Sequence, residues 1–140
     1  MTAQGVWEYT ARLLTDLVGI EPSDDLLFNN DAETHDSGTS YTIAKRIRVY
    51  RTGLYKVSFE IKADAAGRTA YGKIYRNGAA LGAEHSIEDT VYTEFSDTNL
   101  LFEAGNACEL YVKASTGKAY SKNLKLKGVA SVTAGATEAV

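Results

Sequence analysis

The sequence predicts an all-β fold: an antiparallel β-sandwich or jelly roll with a short N-terminal arm, helical or extended. Three observations predict it. Apolar and polar residues alternate over several runs from Tyr41 onward, the period of a half-buried strand. Turn-forming residues separate those runs every ten residues or so, the rhythm of a sandwich. Nine tyrosines stand against one Met and one Pro, and aromatic rings suit a pleated surface. No helical period interrupts the alternating runs, which argues against a parallel βαβ sheet.

The chain divides into an arm at 1–22, a sandwich domain at 23–129 and a tail at 130–140. In the arm, Val6, Tyr9, Leu13 and Leu17 recur at steps of three and four, the period of an amphipathic helix. Gly19 and Pro22 are expected to end it. With Trp7 and Leu14 they form an apolar stripe. Val6, Trp7, Tyr9, Leu13, Leu14 and Leu17 are therefore candidate partner-binding residues, packing on their own domain or on a neighbouring subunit.

The next segment is acidic. Asp24, Asp25, Asn29, Asn30, Asp31, Glu33 and Asp36 carry oxygens of the kind Ca²⁺ accepts, but their spacing matches no defined calcium loop. A solvated acidic loop is expected, with a short strand at Leu26-Leu27-Phe28. Tyr41, Ile43, Ile47 and Val49 then fall on one face of a strand, opposite Thr42, Ala44, Arg46 and Arg48. After the turn Arg51-Thr52-Gly53, Tyr55, Val57, Phe59 and Ile61 alternate with Lys56, Ser58, Glu60 and Lys62.

A loop at Ala65-Ala66-Gly67 leads into a strand over 68–76, and Asn77-Gly78 is a strong hairpin signal because both residues tolerate positive φ. Further strands are expected near 80–87, 90–96 and 99–103. Following a turn at Glu103–Asn106, Cys108, Leu110 and Val112 alternate with Glu109, Tyr111 and Lys113, and a last strand near 119–127 carries Leu124 and Leu126. The predicted core is Ile43, Ile47, Val49, Tyr55, Val57, Phe59, Ile61, Ile74, Cys108, Leu110, Val112 and Leu126.

At 140 residues, 44% apolar and 24% charged, the chain can bury the core of one soluble domain. A net charge of −3 with dispersed Lys and Arg points away from nucleic acid. No apolar run approaches the roughly 20 residues that cross a bilayer. The first residues have neither the basic nor the long apolar region of a secretion signal, so synthesis in a cytoplasm without classical export is expected.

Catalysis needs a nucleophile, base or metal cluster at workable spacing, and none is apparent: no phosphate-binding glycine loop, no nucleophile elbow, no helical His pair. No enzyme activity and no cofactor are expected. His35 and His85 lie in polar, loop-like stretches and are expected to be solvated. Cys108 shares the alternating face of Leu110 and Val112, so it is expected to be a small core residue rather than a reactive thiolate. Tyr71, Lys73 and Tyr75 share one strand face, with Ala70, Gly72 and Ile74 on the other. If the Ile74 face is buried, the two rings stand outward, either as a platform for sugar or as a subunit contact.

Two stretches carry a resemblance. Val6-Trp7-Glu8-Tyr9-Thr10-Ala11-Arg12-Leu13-Leu14-Thr15 resembles a segment recurring in phage tail and other virion proteins. Gly53-Leu54-Tyr55-Lys56-Val57-Ser58-Phe59, followed by Lys73-Ile74-Tyr75-Arg76-Asn77-Gly78, is similar to C1q/TNF-like jelly rolls, a fold also used by phage head-decoration and tail-fibre domains. The resemblance implies a homotrimer in the virion, made in a host cytoplasm, whose partners are itself and other virion proteins. It carries over no ligand site. The expected function is thus a non-enzymatic virion structural protein, a capsid decoration or tail component; the alternative is a carbohydrate-binding or adhesion module recognising a surface glycan.

Overall fold

The structure, a computed structural model, describes residues 19–130. The arm residues Val6, Trp7, Tyr9, Leu13, Leu14 and Leu17 lie outside the described residues, as do tail residues 131–140. Ten strands follow one another: β1 Ile20–Asn30, β2 Thr34–Ser37, β3 Thr42–Arg48, β4 Gly53–Ala63 and β5 Ala70–Arg76, then β6 Ala79–Ala80, β7 His85–Ile87, β8 Thr93–Phe102, β9 Ala107–Ala114 and β10 Lys118–Ala130.

They form two sheets. In the first, β10 pairs antiparallel with β4, β1 and β2, β8 pairs with β4, and one parallel bridge joins Ile20 to Gly53. The second has the order β3-β9-β5-β6, with β7 also on β5. This is the antiparallel sandwich that the alternation predicts. The inner faces supply Tyr55, Val57, Phe59, Ile61, Phe102 and Leu124 from one sheet and Ile74, Cys108, Leu110 and Val112 from the other, nearly all fully buried. Removing that surface from water drives the two sheets together. At Gly72 they come so close that an added Cβ would stand 2.6 Å from Phe59 Cε1.

The Asn77-Gly78 hairpin forms as expected, with φ of 50° and 85° and Arg76 paired to Ala79. Glu109, almost fully buried, anchors it from beneath. Its carboxylate accepts the Gly78 N–H at 2.8 Å and the Arg46 Nε–H at 3.2 Å.

Four expectations need correction. The segment after the arm is no loop: β1 runs from Ile20, and Ile20 itself is core. Pro22 sits inside this strand, whose register is irregular between Glu21 and Leu26, the setting in which a strand tolerates a missing N–H. The strands expected at 90–96 and 99–103 are one strand, β8. A bulge opposite Lys56, with Asn99 at φ 60°, carries it through the polar stretch. The strand expected at 80–87 is two short ones, β6 and β7. Finally, Ile43 is not core: it is 37% exposed, because the β3–β9 register shifts between Ile43 and Lys45. That irregularity turns Tyr41 and Ile43 outward, packs Ala44 against the core and buries Lys45. Lys45 Nζ donates to Asn30 Oδ1 at 3.1 Å and to the Ala32 carbonyl, tying the β1–β2 connection to β3.

Candidate functional site

The outer face of the second sheet gathers four tyrosines. Alternation along β5 buries Ala70, Gly72 and Ile74 and leaves Tyr71, Lys73 and Tyr75 half-buried on the outside, as the sequence predicts for this strand. β9 lies beside it in antiparallel register, Tyr71 opposite Lys113 and Lys73 opposite Tyr111. The diagonal neighbours Tyr75 and Tyr111 are then within reach, and their rings stack at 3.8 Å between centroids and 17° between planes. Tyr41, turned outward by the β3 register shift, brings its ring to 6.2 Å from Tyr75.

One cation and one anion organise the rest of this face. Lys113 Nζ lies 4.7 Å from the Tyr41 ring centroid and 4.9 Å from that of Tyr71, so one ammonium is attracted to two π faces. Glu84, on the loop before β7, accepts the Tyr41 hydroxyl at 2.5 Å and lies 3.7 Å from Lys113 Nζ. The Tyr41 hydrogen bond, with the charges of Lys113 and Lys73, holds the Glu84 carboxyl below its usual range. Burial and the Glu84 carboxylate push the Tyr41 phenol well up, so it stays a donor at any ordinary pH. The result is a face of aromatic rings with one hydroxyl, that of Tyr41, held by Glu84 and two ammonium groups, able to stack on an apolar ligand face and hydrogen-bond its edge.

Sequence reading placed Tyr71, Lys73 and Tyr75 on this face and set Tyr111 and Lys113 on the outward side of their own strand, but did not join the two strands. It missed Tyr41 and Glu84. The signal for Tyr41 was masked by a regular alternation that the register shift breaks. Glu84 sits in a loop that no periodicity positions.

The remaining candidates are elsewhere. Cys108 is fully buried, and burial raises its thiol pKa far above the ordinary value, which agrees with a core role. His35 is exposed on β2 with its ring 5.4 Å from Tyr120. His85 is not solvated in a loop: β7 places it opposite Gly72. Its ring stacks on Phe95 at 5.0 Å, and Nε2 lies 3.1 Å from Asp97 Oδ1. Among the described residues no three His, Cys, Asp or Glu side chains converge on a metal position. The acidic segment instead spreads along β1 and β2, with Asp24 on Lys56 at 2.6 Å.

No protein-family model and no curated relative matches the sequence. Solved structures do. The chain is similar to the CBM36-1 domain of a multidomain xylanase from the hindgut metagenome of Trinervitermes trinervoides, with 9% identity, TM-score 0.53, and 84% of this chain on 95% of that one. It is similar to a family 35 carbohydrate binding module from Clostridium thermocellum, with 14% identity, TM-score 0.50, and 71% on 95%. The same sandwich occurs within the Bacillus thuringiensis delta-endotoxin Cry8Ea1, with 11% identity, TM-score 0.50, and 69% on 19%. At these identities the likeness is one of fold. None of the three likenesses supports the capsid-decoration or tail role, or the trimer, that the sequence resemblance implies.

Proposed function

We propose that the protein is a carbohydrate-binding module whose second sheet presents Tyr41, Tyr71, Tyr75 and Tyr111 to a glycan chain. The stacked Tyr75–Tyr111 pair beside two further rings carries the reading. A pyranose ring has an apolar C–H face that packs on an aromatic ring and equatorial hydroxyls that need partners at its rim. Lys73, Lys113, Glu84 and the phenol groups supply such partners. The fold is shared with carbohydrate binding modules, which favours this reading over a virion structural role without naming the sugar.

Affinity electrophoresis through soluble xylan, mannan and mixed-linkage β-glucan tests it. The protein is expected to be retarded by at least one of them, and Tyr75→Ala to be retarded clearly less at the same polysaccharide concentration. A wild-type protein that ignores every glycan, with Tyr75→Ala converting an oligomer to a monomer in light scattering, would instead make this face a subunit contact.

A further inference from the structure

A concavity whose lining includes none of the four platform tyrosines differs from their face in chemistry. It is a groove of about 520 Å³. Its floor is the core surface of Ile20, Ile47, Tyr55 and Leu126, and its walls are Leu27, Phe28 and Tyr50. Those walls are among the most exposed large apolar side chains described: Leu27 is 47%, Phe28 54% and Tyr50 84% accessible. Arg46, Arg48 and Arg51 complete the lining. Arg46 is engaged by Glu109, while Arg48 and Arg51 have no ion pair among the described residues. A folded domain gains by covering such a patch, and two guanidinium groups that lack an ion pair among the described residues favour an occupant that is apolar with some negative charge.

We propose that the occupant is the chain's own N-terminal segment, residues 6–17, folded back on the same molecule. Three observations select it over a foreign partner. The segment enters at the right place: residue 18 is joined through Gly19 to Ile20, which lines the groove and whose N–H is held by the Thr52 carbonyl at 3.3 Å. Its composition is complementary, with Val6, Trp7, Tyr9, Leu13, Leu14 and Leu17 as the apolar side chains and Asp16 and Glu8 for the arginines. Its reach suffices: the stretch from Trp7 to Val18 spans up to roughly 36 Å when extended. Attachment next to the groove gives the segment an effective concentration that no free partner matches. The inference is independent of glycan binding.

Trp7 is the one tryptophan of the sequence, so its fluorescence reads the contact directly. In the full-length chain its emission should lie to the blue of a solvent-exposed indole and stay there on serial dilution. Phe28→Ser changes an exposed wall residue, and it should move the emission to the red and make it more easily quenched by acrylamide while circular dichroism keeps its β form. Arg48→Glu should do the same to a smaller extent, and Val91→Ser, an exposed apolar position outside the groove, should do nothing. Leu27→Ser serves as the wall variant if Phe28→Ser does not fold. The proposal is overturned by an exposed-indole spectrum in the wild type. A blue emission unmoved by either wall variant overturns it too, because the segment then sits elsewhere. So does a blue emission lost on dilution, which would assign the groove to a second copy.

Discussion

The two outer faces of the sandwich use the same residues to different ends. On the second sheet, Tyr75 and Tyr111 stack ring on ring, and Lys113 is shared between Tyr41 and Tyr71. On the first, Tyr92 stands beneath two lysines, Lys62 at 4.8 Å and Lys122 at 4.4 Å, with its hydroxyl on Glu33. Lys62 also reaches Tyr120, while Lys125 and Lys127 share Glu94. Tyrosine and lysine are plentiful on both, but the first sheet's outer ring contact, His35 with Tyr120, is tilted at 53°, whereas the second sheet stacks two tyrosine rings nearly parallel across neighbouring strands. A platform is made by cross-strand register rather than by residue count.

Both faces stand on one core, so the deepest cut removes the contrast altogether. Phe59 is fully buried between the sheets, and Phe59→Ala should cost about 3–5 kcal/mol, read as a lower midpoint in urea unfolding with loss of any glycan retention. Tyr75→Ala, at a half-buried outer position, should leave that midpoint nearly in place. Equal losses from the two would make Tyr75 a core residue.

Gly72→Ala is the next largest. The new methyl group meets Phe59 at 2.6 Å, and overpacking of this kind costs about 1–3 kcal/mol. Since Gly72 lies between Tyr71 and Lys73, the strain should displace the platform strand and weaken binding as well. A variant as stable and as retentive as wild type would show that the sheets separate freely at this point.

The sharpest test of the contrast is a matched pair. Loss of one stacking ring is worth about 1.5 kcal/mol, or roughly tenfold in affinity. Tyr75→Ala or Tyr111→Ala should weaken glycan binding by about that factor in isothermal titration, and Tyr92→Ala should leave it alone. Equal effects from the two faces would dissolve the distinction.

The smallest effect is in pH. The Glu84 carboxyl is held below its ordinary 4.5 by the Tyr41 hydroxyl and by the lysines, so its contribution is fully present above that value and is lost as pH falls through the lower, folded-state pKa. Because Glu84 is exposed, solvent screens the gain and the effect on stability is slight. Binding should hold constant from pH 7 to 5 and decline only below 4.5. Glu84→Gln should abolish that dependence, and an unchanged acid limb would place its origin in another carboxylate.

What the sequence determined by itself is the layer architecture and most of the core. Strict period two in Tyr55, Val57, Phe59 and Ile61, and again in Cys108, Leu110 and Val112, puts those side chains on one face whatever the strands pair with. Eleven of the twelve expected core residues are buried, with Ile43 the exception. The outward placement of Tyr71, Lys73 and Tyr75 follows from the same local rule. Tertiary structure decided what no local rule contains. The β3 irregularity reverses Ile43 and brings Tyr41 outward, because register shifts arise between strands rather than within one. β1 is a strand because β10 pairs with it, although its own residues read as an acidic loop. The Tyr75–Tyr111 stack depends on β5 and β9, more than thirty residues apart, lying side by side in one register. That choice is set by how the two inner faces pack, and it turned separate outward residues into a site.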